Sequence, residues 1–226
     1  MKKILLYAGL VIVTLVGILA INLFIFNKSA SRISEGTPIP DYGTQNAAIL
    51  VIDIQEGTTG SVSVTESYTL QADGLIHNIN SIAVVAAREK IPVIYIKSVV
   101  SNPLINILNN TLARGSPGAE LDHRMNVDSD HIIMKKKNDS FNNTDLDQLF
   151  ANLKVNHIYL TGLDAAHCIN HTLQGALNRG YLVTVIEDAV ISDPEELRDA
   201  TIQQFHELGV EVISSPSFAE SLRSNQ

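Results

Sequence analysis

The longest uninterrupted apolar run in the chain is at its start. From Ile4 to Phe26 no residue is charged and only Thr14 and Asn22 are clearly polar, and about 20 helical residues are enough to cross a bilayer. Beyond residue 46 the pattern changes to short, β-branched apolar runs separated by amphipathic stretches. The runs at 48–54, 93–97, 131–135, 157–161, 182–186 and 211–213 predict strands, and helical spacing predicts helices at about 75–89, 144–153, 166–179 and 194–208. Asp193, just before Pro194, is placed to cap the last of these helices. The strands are apolar at nearly every position rather than at alternate ones, so both faces of the sheet must be covered. Parallel strands joined by crossover helices meet that requirement. The expected fold is therefore α/β: a three-layer α/β/α, doubly wound, mainly parallel six-stranded sheet with an N-terminal transmembrane helix. The stretch 98–130 is too long for an ordinary connection and is expected to cover the strand ends as a lid or binding loop.

The same pattern divides the chain into a membrane anchor or signal segment (1–28), a linker (29–46) and one domain (47–226). The linker carries Ser, Gly, Thr and two prolines. A secretory signal usually has an apolar core of about 7–15 residues and a small-x-small cleavage site. Here the run is longer, and Asn27-Lys28-Ser29-Ala30 puts Lys three residues before a cut, so an uncleaved anchor is favoured over a secreted, cleaved form. Lys2 and Lys3 keep the N-terminus inside, which leaves the globular part extracytoplasmic. All 24 acids lie beyond Arg32, whereas four of the 16 bases (Lys2, Lys3, Lys28 and Arg32) do not. The remaining 12 bases against 24 acids give a net charge of −12, and such a surface repels phosphate backbones. Nucleic acid is excluded as a partner.

Three residues carry candidate chemistry. Cys168, the only cysteine, follows the strand 157–161 near the start of a predicted helix, where unpaired N–H groups and the helix dipole favour a thiolate. A lone cysteine on its own is more often a small buried hydrophobe. Asp53 interrupts the most apolar strand near its C-terminal end, beside the crevice where open α/β sheets bind ligands; a loop cap is the plainer reading. Lys135 ends its strand and begins Lys135-Lys136-Lys137. Such a triplet is usually a solvated turn, but Lys135 is placed at the same sheet edge as the other two, where an ammonium keeps a carboxylate ionised and lowers a thiol pKa. His167 adjoins Cys168, yet neighbouring helical residues point about 100° apart, which argues against a Cys-His dyad. His157, His171 and His206 have no ligand spacing. Gly162 and Gly180 read as turn glycines, and Asp188 as an organiser of the loop after its strand.

In order and spacing, several segments resemble the isochorismatase-like cysteine hydrolases, a family that includes nicotinamidases and carbamoyl amidohydrolases. They are Ile49-Leu50-Val51-Ile52-Asp53-Ile54-Gln55, Lys135 followed by Thr144-Asp145-Leu146, Thr161-Gly162-Leu163-Asp164-Ala165-Ala166-His167-Cys168-Ile169, and Gly180-Tyr181 with Glu187-Asp188-Ala189. The resemblance implies a Rossmann-like fold and a catalytic triad of Asp53, Lys135 and Cys168. It also implies a cis peptide between Leu163 and Asp164, and an oxyanion hole from the backbone N–H groups of Asp164 and Cys168. The implied reaction is cleavage of a C–N bond of a small amide or carbamoyl substrate through a thioester. Vinyl-ether hydrolysis of the isochorismatase type, without a covalent cysteine, is an alternative on the same fold; a non-catalytic ligand-binding domain at the membrane surface is another. No cofactor is implied. The Asp-x-His metal motif of nicotinamidases is replaced by Ile96-Lys97-Ser98-Val99, so no metal is expected. The partners are then a small-molecule substrate, the membrane and, as in many relatives, further copies of the chain in a homo-oligomer.

Overall fold

The computed structural model describes residues 2–223; Met1 and 224–226, the outer ends of the predicted anchor and domain, lie outside the described residues. Six strands form one sheet: β1 Ala47–Ile52, β2 Val93–Ser98, β3 Ile132–Lys135, β4 His157–Gly162, β5 Leu182–Val190 and β6 Glu211–Ile213. Their order is β3-β2-β1-β4-β5-β6, and all five neighbouring pairs are parallel. The order reverses direction between β1 and β4, the position at which a crevice opens beyond the strand ends.

The helices are α1 Lys2–Ala30, α2 Glu66–Arg88, α3 Pro103–Leu108, α4 Leu146–Leu153, α5 Asn170–Asn178, α6 Glu195–Glu207 and α7 Ser215–Arg223. Two apolar clusters cover the two faces of the sheet. On one face Leu146 and Phe150 of α4, Leu173 and Ala176 of α5, and Ile202 and Phe205 of α6 pack on Leu50, Ile52 and Leu160. On the other, Leu75, Ile76 and Ile79 of α2 and Phe218 of α7 pack on Ile49, Val51 and Tyr159. Burial on both sides is the reason the strand sequences lack alternation.

Several boundaries move, each for a local reason. β1 stops at Ile52, because Asp53 takes φ 60 and turns the chain out of the sheet. β5 runs on to Val190, where it pairs with Gly162 after a register shift. α2 begins nine residues before the apolar periodicity starts, and α7 was not predicted, since Phe218 is its one buried side chain. The expected helix over 166–179 is two elements: one turn of π-helix, Ala165–Ile169, continued by α5. Asp193 does not cap α6. Pro194 occupies the N-cap after a cis peptide, and the Asp193 N–H is instead given to Asp164 Oδ2 at 2.9 Å.

The segment predicted as a linker is held against the domain. Ser34 N and Oγ both donate to Asp139 Oδ2, at 2.8 and 2.6 Å. Arg179, 2% exposed, pairs with Asp147 at 2.7 and 3.0 Å, donates to Ser34 Oγ and to Gly175 O, and stands 4.5 Å over the Phe141 ring. Asp188, expected to organise the loop after its strand, lies instead within β5, and it accepts from Ser215 N and Oγ and so fixes the start of α7 beyond β6.

Candidate active site

Asp53, Lys135 and Cys168 come from three separate segments and meet at the C-terminal edge of the sheet. Asp53 is the first residue beyond β1, in a left-handed conformation uncommon for a residue with a side chain. Its backbone is held from both sides: its N–H donates to Ile96 O at 2.9 Å, and Thr58 Oγ1 donates to its carbonyl at 2.6 Å. Gly162 opposite permits this turn. A Cβ there would lie 2.1 Å from Ile52 O, and its φ of +111 is one that side chains disfavour.

Lys135 ends β3 and is only 1% exposed. Its ammonium donates to Asp53 Oδ2 at 2.8 Å and to Cys168 Sγ at 3.0 Å. Burial alone would pull its pKa down, but the charges of Asp53 and Cys168 outweigh burial and the net shift is upward, so Lys135 stays protonated. The other oxygen of the pair, Asp53 Oδ1, is buried and has no hydrogen-bond partner among the described residues. An orphaned carboxylate oxygen beside an ion pair is an acceptor awaiting a proton or a ligand.

The thiol differs from the sequence expectation. Burial is the largest influence on Cys168 and raises its pKa; Lys135 pulls it down, Asp53 pushes it up, and the result stands at about 12. The expected help from a helix N-terminus is missing for a structural reason. Cys168 is the fourth residue of the π-turn, and the N–H groups of Ala166 and His167 are already taken by Asp164 Oδ1, at 2.9 and 3.2 Å. Cys168 itself is half-buried at the cavity, and a thiolate there would set a second negative charge beside Asp53 with Lys135 as the cation shared between them. The thiol therefore keeps its proton until a base removes it.

The turn that carries Cys168 is fixed by Asp164, which follows a cis peptide from Leu163. Besides the two N–H groups at the turn, Asp164 accepts from Tyr68 Oη at 3.0 Å and from Ser192 Oγ at 2.7 Å. The N–H groups of Ala165, His167 and Ile169 donate to Ile191 O, Asp164 O and Asp164 O. Those of Asp164 and Cys168 are not donors in these turn and cap contacts. Gln55, fully buried, ties the opposite wall together: its Nε2 donates to Ser98 O and Ala119 O, and its Oε1 accepts from Ser98 N. Gln55 thereby holds the 98–130 loop over the strand ends.

A cavity of about 620 Å³ opens onto this edge, with Asp53, Tyr68, Asp164 and Cys168 on its floor and Val99, Val100 and Leu112 of the long loop in its wall. Lys135 lies beneath it. His167 lines the cavity without any hydrogen bond from its ring to Cys168. His157 is structural: its ring nitrogens meet Gln45 Nε2 and Thr184 Oγ1, both at 2.8 Å. Tyr68 was not found from the sequence, because a lone Tyr carries no spacing that points to a site; Thr58 also lines the cavity. Glu56, Asp122 and His123, also not singled out, bring metal-capable atoms within 4.8 Å of one another. There, Asp122 pairs with Arg124 at 2.6 Å and Glu56 accepts from His123 and Ser61, so protein donors satisfy both carboxylates.

A family model described as Isochorismatase domain matches residues 47–217. The uncharacterized isochorismatase family protein YaaI of Bacillus subtilis (strain 168) is 34% identical over 70 residues, 31% of this chain and 39% of that protein. An N-carbamoylsarcosine amidase of Arthrobacter sp is 26% identical over 120 residues, 47% of this chain and 46% of that protein. The match thus spans less than half the length of these two relatives. The crystal structure of an isochorismatase-like hydrolase from Alkaliphilus metalliredigens superposes with a TM-score of 0.69 at 20% identity, over 78% of this chain and 98% of that one. At that identity the likeness is one of fold.

Proposed function

Because the chain belongs to the isochorismatase domain family, we propose that it is a cysteine hydrolase that cleaves the C–N bond of a small amide or carbamoyl substrate. The observation that carries this reading is the position of Lys135 Nζ, 2.8 Å from Asp53 and 3.0 Å from Cys168, beside an unpartnered Asp53 Oδ1. A thiol with a raised pKa needs a base at hand, and Asp53 is the free acceptor. The amidase among the relatives makes a C–N bond the favoured target.

In this mechanism Asp53 takes the Cys168 proton as Sγ attacks the substrate carbonyl carbon. The C–O π electrons move onto oxygen, and the oxyanion is received by the N–H groups of Asp164 and Cys168. Such a donor contributes about 3–4 kcal/mol to the transition state. Lys135 keeps its proton throughout, so its charge faces first the Asp53 carboxylate and then the sulfur. The oxyanion collapses, the C–N bond breaks, and Asp53 returns its proton to the departing nitrogen. A water deprotonated by Asp53 then attacks the thioester, which releases the acid and restores the thiol.

We also read α1 as an uncleaved membrane anchor with the domain on the extracytoplasmic side. An 18-residue stretch within Leu6–Ala30 has a mean hydropathy of 2.7, and none of that stretch is buried within the protein. Retention of the chain in membranes after a carbonate wash is expected; a mature N-terminus near Ser31 would mark the segment as a cleaved signal.

The reaction is tested with a panel of small amides, ureas and carbamoyl compounds, turned over by wild type and Cys168→Ala. Mass spectrometry after acid quenching is expected to find an acyl adduct on Cys168 in the wild type and no turnover in the variant. Turnover that survives Cys168→Ala would reject the covalent route and favour cleavage of the vinyl-ether type; tight binding without product would favour a ligand-binding domain.

A further inference from the structure

α1 remains in contact with the domain over its last turns. Asn102 Nδ2, at the N-cap of α3, donates to Asn22 Oδ1 at 3.1 Å. Asn138 N donates to Ala30 O at 2.9 Å, and Lys137 Nζ donates to Ser29 Oγ. Four residues beyond Ala30, Ser34 is held by the fully buried Asp139. The C-terminal part of the helix is thus tied by three hydrogen bonds, and the chain is held again at Ser34. Ile4 to Ile21 is 18 helical residues, within the roughly 17–25 that cross a hydrocarbon core, which leaves Asn22 and the turns beyond it free to serve the domain.

These turns reach the cavity that holds Asp53 and Cys168: Phe26, Asn27, Ala30 and Ser31 line it. We propose that the C-terminal end of α1 is a wall of the substrate pocket, with Phe26 and Asn27 as specificity-determining residues. The proposal rests on the reading of this cavity as the catalytic one. Phe26 adds an aromatic face beside Val99, Val100 and Leu112 of the long loop, while Lys136, Lys137 and Asn138 give the cavity a polar side. Asn27 adds an amide donor and acceptor within it. An amide bearing an apolar substituent fits such a pocket better than a minimal amide, because the substituent is removed from water against this wall. The anchor is then part of the enzyme's selectivity and not only a tether.

The test uses the full chain in detergent micelles, with Phe26→Ala and Phe26→Trp. The first readout requires no turnover: the rate at which Cys168 is modified by a bulky maleimide relative to iodoacetamide at alkaline pH. Phe26→Ala is expected to raise that ratio several-fold and Phe26→Trp to lower it. The second readout is KM for amides with and without an apolar substituent, which Phe26→Ala should raise by about tenfold for the substituted amide alone. A ratio that moves in both variants while no amide is turned over keeps the wall and rejects the proposed reaction. Turnover with a ratio that neither variant moves overturns the wall, as does a mature chain that begins after Ala30.

Discussion

Replacement of Asp53 by Asn should make Cys168 more reactive toward an alkylating agent while it removes turnover. Lys135 Nζ lies 2.8 Å from Asp53 Oδ2 and 3.0 Å from Sγ, so the carboxylate oxygen and the sulfur are at most about 5.8 Å apart. At that separation and an effective dielectric of about 20, a carboxylate opposes a thiolate by about 3 kcal/mol, or roughly 2 pKa units. Asp53→Asn removes that opposition and leaves the Lys135 ammonium beside the sulfur, so the thiol should fall from about 12 toward about 10. The thiolate fraction at pH 8 then rises by about 100-fold, and the lower basicity of the new thiolate cuts the gain in rate to about tenfold. Lys135→Met acts in the opposite sense: with the cation gone, the thiol loses the charge that pulls its pKa down. The assay is iodoacetamide modification followed by mass spectrometry between pH 6 and 10.5, with amide turnover in parallel. Wild type should react slowly at neutral pH and keep accelerating past pH 9; Asp53→Asn should react about tenfold faster at pH 8; Lys135→Met should not. Turnover should fall by about 100-fold or more in both variants. A wild-type profile that levels off at mildly acidic pH, or an Asp53→Asn thiol no faster than wild type, would refute the assignment of Asp53 as the charge that keeps the thiol protonated.

Arg179→Ala should destabilise the domain by about 2–4 kcal/mol in urea titration, because the buried side chain leaves Gly175 O and Ser34 without their donor and uncovers Phe141. Gly162→Ala should cost about 3 kcal/mol or more and lower the yield of folded protein, since its Cβ would meet Ile52 O at 2.1 Å in a left-handed backbone; unchanged thermal stability would show that β1 and β4 can part there. The folded thiol binds its proton more tightly than the unfolded one, so its contribution to stability is complete below about pH 8.5 and is lost as pH rises toward about 12. Thermal melts of Cys168→Ala should lack this alkaline decline when compared with wild type. Dialysis against a chelator should leave turnover intact, as no step above uses a metal; loss that zinc or iron reverses would point to Glu56, Asp122 and His123.

The strands were legible because burial on both faces writes itself into consecutive residues: Ala48 to Ile52 is apolar throughout, and every one of those residues is at most 1% exposed. Helices were legible where one face repeats, as in α2 beyond Leu75, and not where a single side chain such as Phe218 docks. The order of Asp53, Lys135 and Cys168 along the chain carried a family resemblance, but the state of the thiol did not follow from it. That state depends first on how far the fold withdraws the sulfur from water, and then on the Lys135 and Asp53 charges it sets beside it. The same is true of the linker and the anchor. Their composition reads as flexible and as membrane-spanning, whereas Asp139, Arg179 and Asn138, distant in sequence, hold them against the domain. Local pattern is set by which residues avoid water and which repeat, and the sequence holds that by itself. Charge balance in a buried site, and the contacts that tie a segment down, are sums over neighbours brought together only by the fold, and tertiary structure alone decides them.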